Sequence, residues 1–167
     1  MRNAEGERFA LKRLLSRFRM SRAHRDAILL EGVHLSLVRS PKVIHCHDLL
    51  SLPLPEALIQ RDLTRDPSAM PESARQEIAL LLDLVDGAHL RSLLKSISHG
   101  IGPIQAPLQR EEVASIISDL AQGIHALHNA RRGSGKLCPI THGDLSPTNA
   151  IVRQDGVTVL ILSLIHI

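Results

Sequence analysis

Thr141-His142-Gly143-Asp144-Leu145-Ser146-Pro147-Thr148-Asn149-Ala150-Ile151-Val152 is the stretch on which the reading of this chain turns. Pro139 and Ile140 lead in, and β-branched Ile151 and Val152 lead out toward a strand. Pro147 fixes its own φ and disfavours helix at Ser146. A rigid loop is therefore expected, pinned by Leu145 and Pro147 and presenting His142, Asp144 and Asn149. A carboxylate and a carboxamide five positions apart on such a loop suit two linked tasks. The carboxylate orients or deprotonates a hydroxyl, and the amide oxygen ligates a hard divalent cation.

Upstream of this loop, residues 110–128 have the strongest helical pattern in the chain. Val113, Ile116, Ile117, Leu120, Ile124 and Leu127 form one apolar stripe, and Glu111 and Glu112 suit the first turn. Further back, residues 7–15 alternate as a strand does, with Lys12 on the same face as Ala10 and Leu14. Ser21 is a candidate N-cap for a helix over 22–38, whose apolar stripe of Ala27, Ile28, Leu35 and Val38 also carries Glu31. A carboxylate on an apolar face needs a cation to meet it, and Lys12 is the obvious candidate. Residues 42–50 and 78–82 read as strands, the second continuously apolar and followed by Asp83-Leu84-Val85-Asp86-Gly87, with Asp86-Gly87 as a turn. A short helix is expected over 88–96, and Asp155-Gly156 should close a hairpin between 150–152 and 157–161. Pro53, Pro55, Pro67, Pro71 and the charged run 60–66 mark an irregular insertion, and Gly100, Gly102, Pro103 and Pro107 a second linker.

These segments, in this order, resemble the protein-kinase superfamily, and within it the bacterial-type serine/threonine protein kinases. His142, Asp144 and Asn149 match the catalytic loop H-x-D-x-x-x-x-N at every fixed position, and Ala10-Leu11-Lys12 is similar to the A-x-K of the third strand. The resemblance implies an α+β, two-lobed protein-kinase-like fold, incomplete at both ends. Residues 1–86 would form a partial N-lobe and 87–161 a partial C-lobe. It implies ATP-dependent phosphoryl transfer to a serine or threonine hydroxyl of a protein substrate, with ATP and Mg2+ as cofactors. Asp144 would be the catalytic base. Lys12, held by Glu31, would grip the α and β phosphates, and Asn149 would ligate magnesium. Ala10, Leu82 as gatekeeper, and the hinge Asp83, Leu84 and Val85 would frame the adenine. His142 would brace the loop.

The chain also departs from the family. No glycine-rich phosphate loop precedes Lys12, and Leu162-Ser163-Leu164 occupy the positions of D-F-G, so the aspartate that holds the main magnesium is missing. Residues 162–167, Leu-Ser-Leu-Ile-His-Ile, resemble translated sequencing-adapter DNA and are expected to be a non-native tail on a fragment of a longer protein, itself inactive. Gly143 stands where H-R-D loops carry arginine, and Ser146 where serine/threonine kinases place lysine. Both keep open a small-molecule phosphotransferase of the aminoglycoside or choline kinase type. The missing aspartate keeps open a non-catalytic nucleotide-binding chain.

Composition narrows the other classes. Hydrophobic residues at 44% and charged residues at 22% of 167 are ordinary for a globular domain. A net charge of +3 with 1% aromatics offers neither a basic surface nor stacking platforms for nucleic acid. No apolar run reaches the roughly 20 residues that span a bilayer, so no membrane contact is expected. Two cysteines, Cys46 and Cys138, build no disulfide framework, and a cytoplasmic location is expected. His45 and His47 share a strand face, but no second ligand pair stands nearby, so no metal site is expected there. Arg131-Arg132-Gly133-Ser134-Gly135-Lys136 lacks the leading glycine and the final hydroxyl of a phosphate-binding loop.

Overall fold

Alternating residues around Lys12 do form a strand, β1 (Phe9–Arg13), antiparallel to β3 (Gln76–Asp83). The computed structural model describes residues 6–15, 18–19, 21–53, 76–99 and 106–162. The irregular connection through Pro55, Pro67 and Pro71, the linker at Gly100, Gly102 and Pro103, and residues 163–167 lie outside the described residues. β2 (Cys46–Pro53) completes a three-stranded sheet in the order β1-β3-β2. A second antiparallel sheet is β4 (Gly87–His89), β5 (Ala150–Arg153) and β6 (Thr158–Leu160). With α1 (Arg22–Leu37), α2 (Leu90–His99) and α3 (Arg110–His128), the described residues make a mixed α+β architecture. Among them, no helix is long and apolar enough to cross a membrane.

The helix ends follow local chemistry. Ser21 caps α1, its hydroxyl accepting from the His24 N–H. Glu112 reaches back to accept from the Gln109 N–H at 2.7 Å, so the acidic first turn of α3 satisfies an orphan donor as well as the helix dipole. Across the β1–β3 ladder, Ala10 stands opposite Leu82 and Lys12 opposite Leu80. Directly opposed residues share a face, and that face carries buried Leu80 and Leu82 into the main core. On β3, buried Glu77 is held between the guanidinium groups of Arg13 and Arg19.

The main core draws on both sides of residue 86. Ile28, Leu35, Val38, Leu80 and Leu82 meet Leu127, Ile140, Val159, Leu160 and Leu162 in one cluster. At roughly 1.5–3 kcal/mol per fully buried aliphatic side chain, this contact is the chief apolar term joining the two sheets. Leu162, expected to belong to the tail, is fully buried there.

Four expectations are corrected. The strand expected over 42–50 begins only at Cys46, because 42–44 runs beside β6: the Leu160 N–H donates to Lys42 O and the Ile44 N–H to Leu160 O, each at 2.9 Å. The helix expected from residue 88 starts at Leu90, because Gly87, Ala88 and His89 pair with β5. Val113 and Ile117 are not core: they are 40% and 60% exposed, and α3 turns Ile116, Asp119, Gly123 and Leu127 inward instead. Leu145 does not pin its loop, being 53% exposed.

Candidate functional site

Lys12 and Glu31 meet. The Lys12 ammonium lies 2.5 Å from Glu31 Oε1, and the carboxylate is fully buried. A buried, isolated carboxylate would be prohibitive, so the pair holds β1 and α1 in one register. The ammonium also donates to Leu162 O at 3.3 Å. That second bond brings the amine from β1 to the backbone that leaves β6.

The same backbone holds the loop. His142 Nε2 donates to Ile161 O at 3.1 Å, and the Ile161 N–H donates to Asn149 O at 2.9 Å. Asn149 Nδ2 donates to both Asp144 O and Asp144 Oδ2, at 2.9 and 2.8 Å. Pro147 opens a single 3-10 turn, Pro147–Asn149, which ends where β5 begins. The loop is therefore fastened from within, by buried His142 and Asn149, while Leu145 faces out. Adjacent residues thus fasten two pairs: Leu162 O accepts from Lys12 of the Lys12–Glu31 pair, and Ile161 bonds His142 and the carbonyl of Asn149, which holds Asp144.

His142 is buried, and desolvation pushes its imidazole below the usual histidine value, partly offset by the Ile161 carbonyl and by Asp144. A neutral ring fits the contacts. Nε2–H donates to Ile161 O, while Nδ1 accepts the Asp144 N–H at 3.4 Å, a role that protonation would abolish. The pH consequence has a definite sign. The unfolded chain binds this proton more readily than the folded one, so stability rises with pH through the window. The contribution is complete above about 6.5 and is lost as pH falls below it. Urea midpoints for parent and His142→Gln from pH 5 to 8 should diverge as pH rises through that window. Parallel curves would show that His142 takes no part.

Gly143 has φ +77°, and an added Cβ would meet nothing within 4 Å. Glycine suits position 143 because the backbone there is left-handed, not because space is short. Gly143→Ala should lower stability by about 1–2 kcal/mol from conformation alone, read from denaturant midpoints. An unchanged midpoint would contradict it.

Residues 82–85, expected as gatekeeper and hinge, occupy the far end of the same strand pair and its exit. Leu82 is buried opposite Ala10, Val85 is packed against the core and Leu84 is exposed. Asp83 commits its N–H to His45 O, while its carboxylate takes the His45 N–H at 3.0 Å and His47 Nε2 at 2.6 Å. A cavity of about 650 Å3 is lined by residues 83–86 together with Phe9, Val43, His47 and Arg153 among others, and by none of Lys12, Glu31, Asp144 or Asn149.

A magnesium ion would find two oxygen donors here. Both contacts of the Asn149 amide use its nitrogen, which leaves the oxygen as the ligating atom beside the Asp144 carboxylate. Position 162 adds a buried aliphatic side chain and not a third donor. Among the described residues, no three His, Cys, Asp or Glu side chains group to hold a metal. Two side-chain oxygens are fewer than the six or more ligands a hard divalent cation takes.

Sequence reasoning missed Lys42 and Asp119. Lys42 Nζ lies 2.5 Å from Asp119 Oδ1, and Asp119 Oδ2 accepts the buried Thr158 N–H at 2.8 Å. The signal was present: Asp119 lies on the Ile116–Gly123–Leu127 face, as Glu31 lies on the inward face of α1. No protein-family model matches the chain, and no curated protein matches it either.

Proposed function

We propose that this chain is the nucleotide-holding part of a kinase-like phosphotransferase, within a two-lobed protein-kinase-like fold, acting with ATP and Mg2+ on serine or threonine hydroxyls of a protein. What supports the reading is one observation: two pairs, Lys12 with buried Glu31 and Asp144 with Asn149, are fastened to adjacent backbone residues, the first through Lys12 to Leu162 O and the second through the Ile161 N–H to Asn149 O. Lys12 supplies positive charge for phosphate oxygens, and Glu31 fixes the direction of its side chain. Asp144, oriented by Asn149, takes the proton of the attacking hydroxyl. Half-buried Ala10 would meet a purine beside the 83–85 backbone, with buried Leu82 closing the space behind it. Bound magnesium would neutralise phosphate charge, and positioning plus charge neutralisation carry most of the rate in such sites.

A second reading shares this chemistry but takes a small-molecule acceptor, and the left-handed Gly143 favours it, since an H-G-D loop is the form those phosphotransferases carry. With leucine at 162, phosphate transfer by the chain alone is expected to be slow or absent, which makes a nucleotide-binding chain without catalysis the third outcome.

Calorimetric titration of the purified chain with ATP and magnesium is the test. Binding should require magnesium. Lys12→Arg keeps a cation for Glu31 but changes its geometry, and should weaken binding about 10-fold or more, the loss of one charge-assisted hydrogen bond. Arg91→Ala, at an exposed position on α2, should leave it unchanged. ATP binding that ignores Lys12, or no binding at all, would overturn the proposal. Efficient Asp144-dependent transfer would overturn the expected inactivity.

A further inference from the structure

The basic hairpin 131–137 takes no part in the contacts of Lys12, Glu31, Asp144 or Asn149. It follows α3 directly and closes through an Arg131–Leu137 bridge, with the Gly135 N–H donating to Arg132 O at 2.8 Å and the Arg132 N–H to Lys136 O at 3.0 Å. Arg131 Nη1 donates across the tip to Gly135 O at 2.9 Å. Every residue from 131 to 137 is exposed.

We propose that Ser134 is a phosphorylation site, recognised by a serine/threonine kinase whose acceptor groove is lined with carboxylates. Access is the first argument. Ser134 lies between Gly133 and Gly135, and a Cβ at either glycine would meet nothing within 4 Å. An enzyme can therefore surround the hydroxyl without striking the body of the chain. Charge is the second. Arg131 and Arg132 stand three and two residues before Ser134, and no other serine or threonine in the sequence has arginine at both places. Such charge patterns are how kinases separate one acceptor from another. The third is ease of opening. The tip is held by a few solvent-exposed hydrogen bonds, the kind that break locally without global unfolding. An acceptor segment can thus extend into a groove.

The product would be held where it forms. Transfer makes a bond between Ser134 Oγ and the γ-phosphorus of ATP, breaks the bond between that phosphorus and the β–γ bridging oxygen, releases ADP, and passes the hydroxyl proton to the kinase's base. The phosphate adds a charge of about −2 beside Arg132 and Lys136, where charge-assisted hydrogen bonds can form.

The test treats the full chain with ATP and an arginine-directed serine/threonine kinase, with a carboxylate-directed kinase in parallel, and maps phosphate by mass spectrometry. The expected result is phosphate on Ser134 from the first enzyme only, lost in Ser134→Ala. The Arg131→Ala/Arg132→Ala double variant should reduce kcat/KM at Ser134 about tenfold or more. These exposed substitutions should leave the circular dichroism spectrum unchanged. Phosphate only at other residues, equal rates in the double variant, or equal modification by the carboxylate-directed enzyme would each overturn the proposal. So would a rate that tracks the unfolded fraction as urea is added.

Discussion

Lys12→Met should cost the folded chain about 3–5 kcal/mol, because it leaves the fully buried Glu31 carboxylate without its cation. Methionine preserves most of the aliphatic stem, so the loss isolates charge from packing. The double variant Lys12→Met/Glu31→Leu should regain most of that stability, since replacing a buried ion pair by apolar groups is often close to neutral. Urea denaturation of the parent, both single variants and the double completes a cycle whose coupling term reads the pair directly. A Lys12→Met chain within about 0.5 kcal/mol of the parent, the range of ordinary surface substitutions, would show that the amine does not sustain Glu31. Because Lys12 also meets Leu162 O, the same variant should loosen the join between β1 and the segment after β6.

Asp119→Ala should be comparably damaging, at about 3–5 kcal/mol. Its carboxylate serves two groups at once, the Lys42 ammonium and the buried Thr158 N–H, and alanine leaves both without partners. Asp119→Asn retains an acceptor for Thr158 but not the charge, so it should fall between parent and alanine. The damage should not stay local. Lys42–Ile44 exchanges backbone hydrogen bonds with Leu160, and Leu160 leads into Ile161 and Leu162, where Lys12 and His142 are anchored. Amide exchange at Thr158, Leu160 and Ile161 should therefore quicken together in Asp119→Ala. If stability falls while these three amides keep their protection, Asp119 stabilises α3 alone.

These two carboxylates also show where sequence reasoning reached and where it stopped. Glu31 was found from its position on the apolar face of α1, because a buried acid demands a cation and Lys12 was flanked by apolar neighbours. Asp119 obeys the same logic on α3, yet Val113 and Ile117 drew the stripe to the wrong side. Hydrophobicity by itself could not reveal that α3 turns an ion pair and a glycine inward. Gly123 sits inward for a steric reason found only in three dimensions: an added Cβ would fall 2.9 Å from Lys42 O and 2.7 Å from Leu160 Cδ1. In the loop, the sequence marked His142, Asp144 and Asn149 as its polar members and Pro147 as a pin, but wrongly credited Leu145 with holding it as well.

By itself, then, the order of residues determined the elements whose causes are local: the alternation of β1, the Ser21 cap of α1, the full extent of α3, the proline-opened turn at Pro147 and the hairpin at Asp155-Gly156. Their causes lie in dihedral limits, capping and periodicity, which act over a few residues. Only the tertiary structure decided that 42–44 would run along β6 instead of extending β2, that Leu162 would enter the core, and that Leu162 and Ile161 would fasten Lys12 of β1 and the loop side by side. Those outcomes depend on which buried charges and backbone groups find partners from 19 to 150 residues away, and no local preference encodes that choice.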